Sequence, residues 1–208
     1  MNTNALTLTA TTALLIASAL TVPAAKAQSY PTKPVRLIVG FAAGGGTDLL
    51  ARIMAGKMGE SLGQSVLVEN RPGAGGTIAA ELVARATPDG YTLNAPTNSY
   101  AVNAVFLKLP YDPVVDISPI AVLGTSGYLM VVPPSLGVSN IRQFIALARS
   151  KPGALNYGST GQGAISHLAI EQFKLMAKVD LAHIPYKGTA PVLTDLLTSQ
   201  IHFTAGAI

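Results

Sequence analysis

Val35-Arg-Leu-Ile-Val-Gly-Phe-Ala-Ala-Gly-Gly-Gly46 joins a strand pattern directly to a glycine-rich turn. The β-branched, apolar run from Val35 to Val39 is typical of a short buried strand. From Thr47 to Ser61 apolar residues then recur at helical spacing. The order of strand, glycine loop and helix predicts a βα unit of a parallel sheet.

The same unit recurs along the chain. Val66 to Glu69 forms a second strand pattern, and a second glycine-rich turn follows from Asn70 to Gly76. A third glycine-rich loop, Gly158 to Gly163, again lies between a strand pattern and a helix pattern. These repeats predict an α/β protein whose loops gather at the carboxyl ends of the strands, where open α/β sheets bind ligands.

The repeating pattern breaks between Pro110 and Pro119, where no helical or strand period is visible. We therefore place the crossing into a second domain near residue 125, with one lobe over residues 28–124 and a second over 125–208. Beyond the crossing, Asn140 and Gln143 have the spacing of a capping box, which predicts a helix from about Ile141.

The N-terminal residues predict export. Leu6 to Leu20 is an apolar run with the length of a signal-peptide core and is short for a membrane span. Small residues at Ala25 and Ala27 follow in the pattern of a signal peptidase site. We expect residues 1–27 to be a signal peptide and the protein to act in the periplasm; an uncleaved anchor is the alternative.

The charge and the amino-acid composition exclude several classes of function. The formal charge of +4 falls to +3 when Lys26 leaves with the signal peptide, and no Lys/Arg cluster marks a nucleic-acid surface. The sequence has no Cys, which excludes disulfides, thiolate metal sites and a Cys nucleophile. Neither a metal nor a cofactor is expected, and the protein is expected to be a monomer.

The glycine loops suggest a binding site for anions. Glycine leaves backbone amides uncovered, and the first turn of a helix has unpaired N–H groups and a partial positive charge. Such loops from two lobes could hold a small carboxylate from opposite sides. The competing explanation is that glycine at these turns serves geometry alone.

The same loops support nucleotide binding and catalysis less well than they support the binding of a carboxylate. Gly44 and Gly46 give G-x-G, but Leu49 stands where the dinucleotide fingerprint needs its third glycine. No G-x-S-x-G motif surrounds Ser159, and Asp48 is better explained as a favourable charge at a helix start than as a general base. An exported hydrolase or dehydrogenase remains the rival class.

Several segments resemble the Bug (TctC-type) solute-binding proteins of tripartite tricarboxylate transporters. The resemblance extends from Tyr30 to about Gln200. It rests on the following segments: Tyr30 to Val39, Gly44 to Asp48, Val68 to Gly76, Pro88 to Thr92, Leu109 to Pro113, Asn156 to Ser159 and Ile184 to Gly188.

The resemblance implies a type II periplasmic-binding-protein fold, with two βα lobes around an interdomain cleft. It also implies a carboxylate ligand (a di- or tricarboxylate, an amino acid or an aromatic acid), a two-component membrane permease as partner, and no enzymatic activity. The family chain continues past residue 208, so the second lobe and the return to the first are expected to be incomplete, and a truncated product that binds nothing is a further alternative. A second departure is Gly40-Phe-Ala-Ala-Gly-Gly45, where the family usually has prolines.

By position, the resemblance carries the family's ligand contacts onto three groups of residues. The loop after the first strand supplies Phe41, Ala42, Ala43, Gly44, Gly45, Gly46, Thr47 and Asp48. The second lobe supplies Ser159, Thr160, Gly161, Gly163 and His167. Additional contributors are Thr97, Asn98, Ser99 and Gly188.

Overall fold

The computed structural model describes residues 29–207, and the chain from Pro31 onward packs as one compact unit. The predicted signal peptide lies outside the described residues. Within residues 29–207 no helix is long and apolar enough to cross a bilayer. The predicted domain boundary near residue 125 stays a prediction.

The first sheet is parallel and has the strand order β2-β1-β3. Its strands are β1 (Val35–Val39), β2 (Val66–Asn70) and β3 (Thr92–Ala95). The connecting helices are α1 (Gly46–Leu62) and α2 (Thr77–Ala84), the latter preceded by a 3₁₀ turn at Ala74–Gly76. Because the chain moves from β1 to one neighbour and then crosses to the other, the loops after β1 and β3 diverge and leave a crevice between them.

The second sheet repeats this order with one added strand, giving β4-β7-β5-β6. Its strands are β4 (Tyr128–Val131), β5 (Asn156–Ser159), β6 (Ala182–Pro185) and β7 (Phe203–Ala207), with β4 antiparallel to β7. Helix α3 (Ser99–Phe106) follows β3 and comes before the first strand of this sheet. The later helices are α4 (Ile141–Ser150), α5 (Ile165–Ala177) and α6 (Thr189–Leu197). Strands β5, β6 and β7 have the same arrangement as β1, β2 and β3, so each sheet has a crevice at its central strand.

Each sheet is held by a core of its own. In the first sheet Leu37 and Val39 pack against the alanines Ala51 and Ala55, whose small side chains bring α1 close to the strands. The core of the second sheet combines aliphatic and aromatic side chains, and the rings of Phe144 and Phe203 stack with centroids 4.6 Å apart. The α/β class predicted from the alternating pattern is confirmed.

The predicted capping box at α4 is present in a shifted form. The side chain of Asn140 accepts a hydrogen bond from the backbone N–H of Gln143 at 3.0 Å. The side chain of Gln143 accepts in return from the N–H of Ser139, one residue before the cap, at 2.7 Å. The helix therefore begins at Ile141, as the spacing predicts.

Two elements were not predicted from sequence. Helix α3 directly follows the third strand, and β7 ends the described chain at the centre of the second sheet. Conversely, Ile120 to Leu123 reads as an extended segment in the sequence but forms no strand in the structure. Ile120 and Val122 are largely exposed, and the segment pairs with no strand of the described chain.

We predict that Phe144→Ala lowers the free energy of unfolding by about 3–5 kcal/mol, because it empties a fully buried ring site. Urea denaturation of the chain measures the loss. Phe106→Ala is the matched control, since Phe106 is 72% exposed and its loss should change stability by less than about 0.5 kcal/mol. Equal effects of the two substitutions would contradict the described core.

Candidate functional site

Glycine loops from the two sheets meet at the carboxyl ends of the strands. The N–H of Ala42, in the loop after β1, donates to the carbonyl of Lys187 after β6 at 2.8 Å. A Cβ built on Gly188 would lie 2.8 Å from the nitrogen of Ala42, and one built on Gly75 would lie 2.9 Å from the carbonyl oxygen of Gln162. Only glycine permits these backbone approaches.

The loop after β1 is fixed by Asp48, in the first turn of α1. Its carboxylate accepts hydrogen bonds from the N–H of Gly44 at 3.0 Å, from Arg52 Nε at 3.0 Å and from Asn70 Nδ2 at 2.9 Å. The Asn70 amide also donates to the carbonyl of Phe41 at 3.0 Å. Asp48 is thus a buried brace for the loop, and its oxygens are engaged by its own chain.

The electrostatics of Asp48 follow from these contacts. Burial would raise the pKa of its carboxyl, but the hydrogen bonds from Arg52, Gly44 and Asn70 outweigh burial and hold the pKa below its ordinary value. The carboxylate is therefore charged at neutral pH, where it also interacts favourably with the N-terminus of α1.

The start of α1 has amides that remain available. Within the described chain, the N–H groups of Gly45, Gly46 and Thr47 donate no hydrogen bond. Gly45 is extended and immediately precedes the helix, and nothing lies within 4 Å of a Cβ built on Gly46. This half of the predicted site therefore has the open, positively polarised helix start that the sequence suggests.

The loop after β5 differs, because its amides are already bonded. The N–H of Thr160 donates to Ser166 Oγ at 3.0 Å, and that of Gly163 donates to His167 Nδ1 at 3.3 Å. The N–H of Ile165 donates across to Ser99 Oγ, at the start of α3, at 3.0 Å. The expectation that glycine leaves the amides of this loop bare is not met in this structure.

Ser159 and two histidines form a compact group under the same loop. Ser159 Oγ lies 2.7 Å from His183 Nε2, and the rings of His167 and His183 stack with centroids 4.1 Å apart. Ser159 is fully buried, and its hydroxyl also contacts the N–H and the carbonyl of Gly161. A buried hydroxyl with three contacts does not match the exposed nucleophile that a hydrolase requires.

The remaining predicted residues lie around this meeting point. Ala43, Gly44, Gly46 and Asn98 are exposed, Ala42, Thr47, Thr97, Thr160, Gly163 and His167 are half-buried, and Phe41, Gly45, Ser99, Gly161 and Gly188 are buried. Thr97 Oγ1 accepts from the N–H of Ser99 at 3.3 Å, which shapes the turn into α3. The predicted residues thus share one region, at the meeting point of the glycine loops.

A small cavity beside this region involves residues that the sequence did not single out. It has a volume of about 10 Å³, enough for one water-sized group, and lies between the end of β1, the loop before α2 and helix α3. Within residues 29–207, two buried side-chain atoms lack a hydrogen-bond partner, Asn94 Nδ2 and Asn103 Oδ1, and both residues line this cavity. Asn103 lies on helix α3, and predicting that helix from the sequence would have identified Asn103 as a candidate site residue.

Nothing in the described part of the chain resembles a metal centre, since no three His, Asp or Glu side chains come together there in a way that could hold an ion.

The sequence model for the tripartite tricarboxylate transporter family receptor (TctC) matches residues 50–206. The chain belongs to this family. Protein BugT of Bordetella pertussis is 37% identical over 188 residues, which are 88% of this chain and 57% of BugT. The relationship inferred from the segments around the glycine loops is therefore confirmed.

Solved structures share the fold. R. palustris Rpa4515, solved with adipate, is 39% identical with a TM-score of 0.81, over 86% of this chain and 60% of its own. MatC from Rhodopseudomonas palustris, with bound malate, is 35% identical with a TM-score of 0.79, over 86% of this chain and 61% of its own. The predicted periplasmic-binding-protein architecture is confirmed, and the chain spans a little over half the length of the curated relatives that it matches.

We predict that Asp48→Asn lowers stability by about 1–3 kcal/mol at pH 7, because an amide cannot accept all three hydrogen bonds of the carboxylate. Since the folded-state pKa is depressed, the stabilisation is present above the unfolded value near 4 and is lost as the pH falls through the folded value. Urea denaturation at several pH values should show the two proteins converging in acid.

Glu60→Gln on the same helix is the control for Asp48→Asn. Glu60 pairs with Lys57 on an exposed face, where an ion pair contributes little. A loss for Glu60→Gln as large as that for Asp48→Asn, or a loss for Asp48→Asn that does not depend on pH, would contradict the bracing role.

Proposed function

We propose that this chain is the ligand-binding portion of a periplasmic receptor that captures a small carboxylate and delivers it to a two-component membrane permease. The observation that carries the proposal is the start of α1, where Gly45, Gly46 and Thr47 offer unbonded amides beside loops from the other sheet. Relatives crystallised with adipate and with malate support a dicarboxylate as the ligand class. Export through cleavage after Ala27 and action as a monomer are parts of the same proposal.

Binding requires the two sheets to separate at their loops. Pockets for small ligands measure about 300–1,000 Å³, whereas the cavity beside the loops measures about 10 Å³. Two hydrogen bonds between the halves would break, Ala42 to Lys187 and Ile165 to Ser99. The backbone contacts at Gly75 and Gly188 would separate with them. Opening about a hinge near residue 125, followed by closure on the ligand, is the motion that this geometry favours.

A carboxylate would take over contacts that the closed loops make among themselves. The N–H of Ile165 now donates to the neutral hydroxyl of Ser99. A carboxylate oxygen at that point would accept a charge-assisted bond, which is roughly twice as strong. Together with the free amides of α1, this exchange gives the ligand contacts from both sheets.

The test is a substitution that deletes one amide donor and leaves the helix intact. Proline is favoured at the first helical position, and the extended backbone of Gly45 suits a residue before proline. We predict that Gly46→Pro weakens adipate or malate binding about 10- to 100-fold, the value of one charge-assisted hydrogen bond. Isothermal titration calorimetry measures the change.

Gly46→Ala is the matched control, because it keeps the N–H and its Cβ enters open space. It should bind as the unaltered chain does, and both variants should unfold at similar temperatures. If Gly46→Pro binds with unchanged affinity, the α1 amides are not the ligand contacts. If a broad carboxylate panel gives no thermal shift, the chain as given is a non-binding form, and a shift with nucleotides instead would overturn the carboxylate proposal.

A further inference from the structure

The loop from Ser159 to Gly163 is bonded at both ends to stacked imidazole rings. At its start, Ser159 Oγ lies 2.7 Å from His183 Nε2; at its end, the N–H of Gly163 donates to His167 Nδ1 at 3.3 Å. The two rings lie face to face, 4.1 Å apart and within 14° of parallel. No other pair of side chains in the described chain contacts this loop in this way at both ends.

The stack is built by strand register and helix placement together. Parallel pairing sets Tyr157 of β5 beside His183 of β6, and their rings stack with centroids 4.8 Å apart. His167, in the first turn of α5, covers the other face of His183. The three rings therefore form a continuous column between the sheet and the helix.

The hydrogen bonds specify which nitrogens carry protons. His167 Nδ1 accepts from a backbone N–H, so Nδ1 is unprotonated and a neutral ring has its proton on Nε2. Ser159 Oγ has one proton to donate and can accept two, and its contacts are Gly161 N–H, Gly161 C=O and His183. All three are satisfied when His183 donates from Nε2–H and Ser159 donates to the carbonyl.

Burial is the main reason that both rings are neutral at pH 7. Burial lowers the pKa of His167; for His183, burial first and then the neighbouring His167 lower the pKa to about 4. Two side chains of α5 face the column: Glu171 favours protonation, and Lys174 opposes it. Glu171 is engaged with the hydroxyl of Tyr157 at 2.6 Å and with Lys174 at 2.7 Å.

We propose that His167 and His183 are positioning residues that hold the loop Ser159–Gly163 in its ligand-binding shape while both imidazoles are neutral, and that protonation of the pair releases the loop. The part that concerns ligand rests on the proposed function. Protonating His167 at Nδ1 replaces an acceptor with a donor facing Gly163 N–H, and two imidazolium rings cannot stack in contact without strong repulsion. The loop then loses the bond at its glycine end.

The sign of the pH effect follows from the lowered pKa values. Above the ordinary histidine pKa of about 6.5 both rings are neutral in the folded and unfolded chain. As the pH falls from about 6.5 toward 4, the unfolded chain takes up protons before the folded chain does, so folding stability decreases. Loop release is expected in the lower part of that window.

The first arm of the test needs no ligand. With only 3 histidines in the sequence, ¹⁵N NMR can assign each imidazole by comparing single substitutions. At pH 7 we expect neutral Nε2–H tautomers for His167 and His183. His167→Phe keeps the ring stack but removes the acceptor, so hydrogen exchange at Gly163 should accelerate by about tenfold or more, as expected for a lost protecting bond.

The second arm measures adipate and malate binding from pH 8 to pH 4. The unaltered chain should lose affinity below about pH 5, in the lower part of the window between the unfolded and folded pKa values. His167→Phe should bind about tenfold more weakly at pH 8, as for one lost hydrogen bond, and should show a flatter pH profile. His202→Gln, outside the column and bonded to Asn156, is the control and should retain the pH dependence of the unaltered chain.

The outcomes separate the two proposals. Slowed Gly163 exchange that depends on His167, without binding of either acid, supports the positioning role and counts against the proposed function. Binding with a pH profile that His167→Phe leaves unchanged overturns the positioning role and leaves the proposed function intact. Protonation of His167 at Nδ1 at pH 7, or tighter binding in acid, also overturns it.

Discussion

The close approach of glycine backbones between the two sheets is the constraint on which the site depends. At Gly75, Gly163 and Gly188 a Cβ would lie 2.8–2.9 Å from atoms of the facing segment, closer than real side chains come. Gly75 and Gly188 contact the opposite glycine loops, and Gly163 contacts Asn103 of α3. A larger residue at Gly75 or Gly188 would meet the facing backbone and push the first-sheet loops away from the second-sheet loops. At Gly163 it would displace the side chain of Asn103. The glycines thus serve packing between the halves as much as access to a ligand. The sequence left open whether they serve anion binding or backbone geometry, and these two roles are compatible.

The two halves share a topology, but different kinds of side chain hold their glycine loops. Both central strands, β1 and β5, end at a switch point followed by a glycine loop and a helix. In the first half a buried carboxylate, Asp48, braces the loop from one side and leaves the α1 amides free. In the second half hydroxyl and imidazole groups bond the loop amides themselves. A carboxylate ligand therefore finds unbonded amides at the start of α1, while on the other side it replaces only the Ser99 hydroxyl as acceptor of the Ile165 N–H.

Sequence patterns located the elements whose apolar residues repeat cleanly. Val35 to Val39 is buried as the β-branched run predicts, and the helix start after Gly45 follows from the glycine turn. Helix α3 was missed because its buried positions are polar: Ser99 and Asn103 face inward, so the usual amphipathic pattern is inverted. Strand β7 was missed because Ala205, Gly206 and Ala207 have low strand propensity. The His167–His183 stack was beyond reach of spacing arguments, since it arises from strand register and helix placement between residues 16 positions apart.

The hydrogen bonds between the two halves can be exchanged for bonds to a ligand. The hydrogen bond from Ile165 to Ser99 is a neutral pairing, and the bond from Ala42 to Lys187 is between backbone groups. Each contributes modestly when water can replace it, on the order of 1 kcal/mol. A carboxylate offers stronger acceptors at the same donors, so opening and reclosing on ligand exchanges weak bonds for charge-assisted ones. By contrast, the bonds within each half, at Asp48 and at the imidazole pair, need not break during that exchange. The loops can therefore move as preformed units, which keeps the entropic cost of binding low.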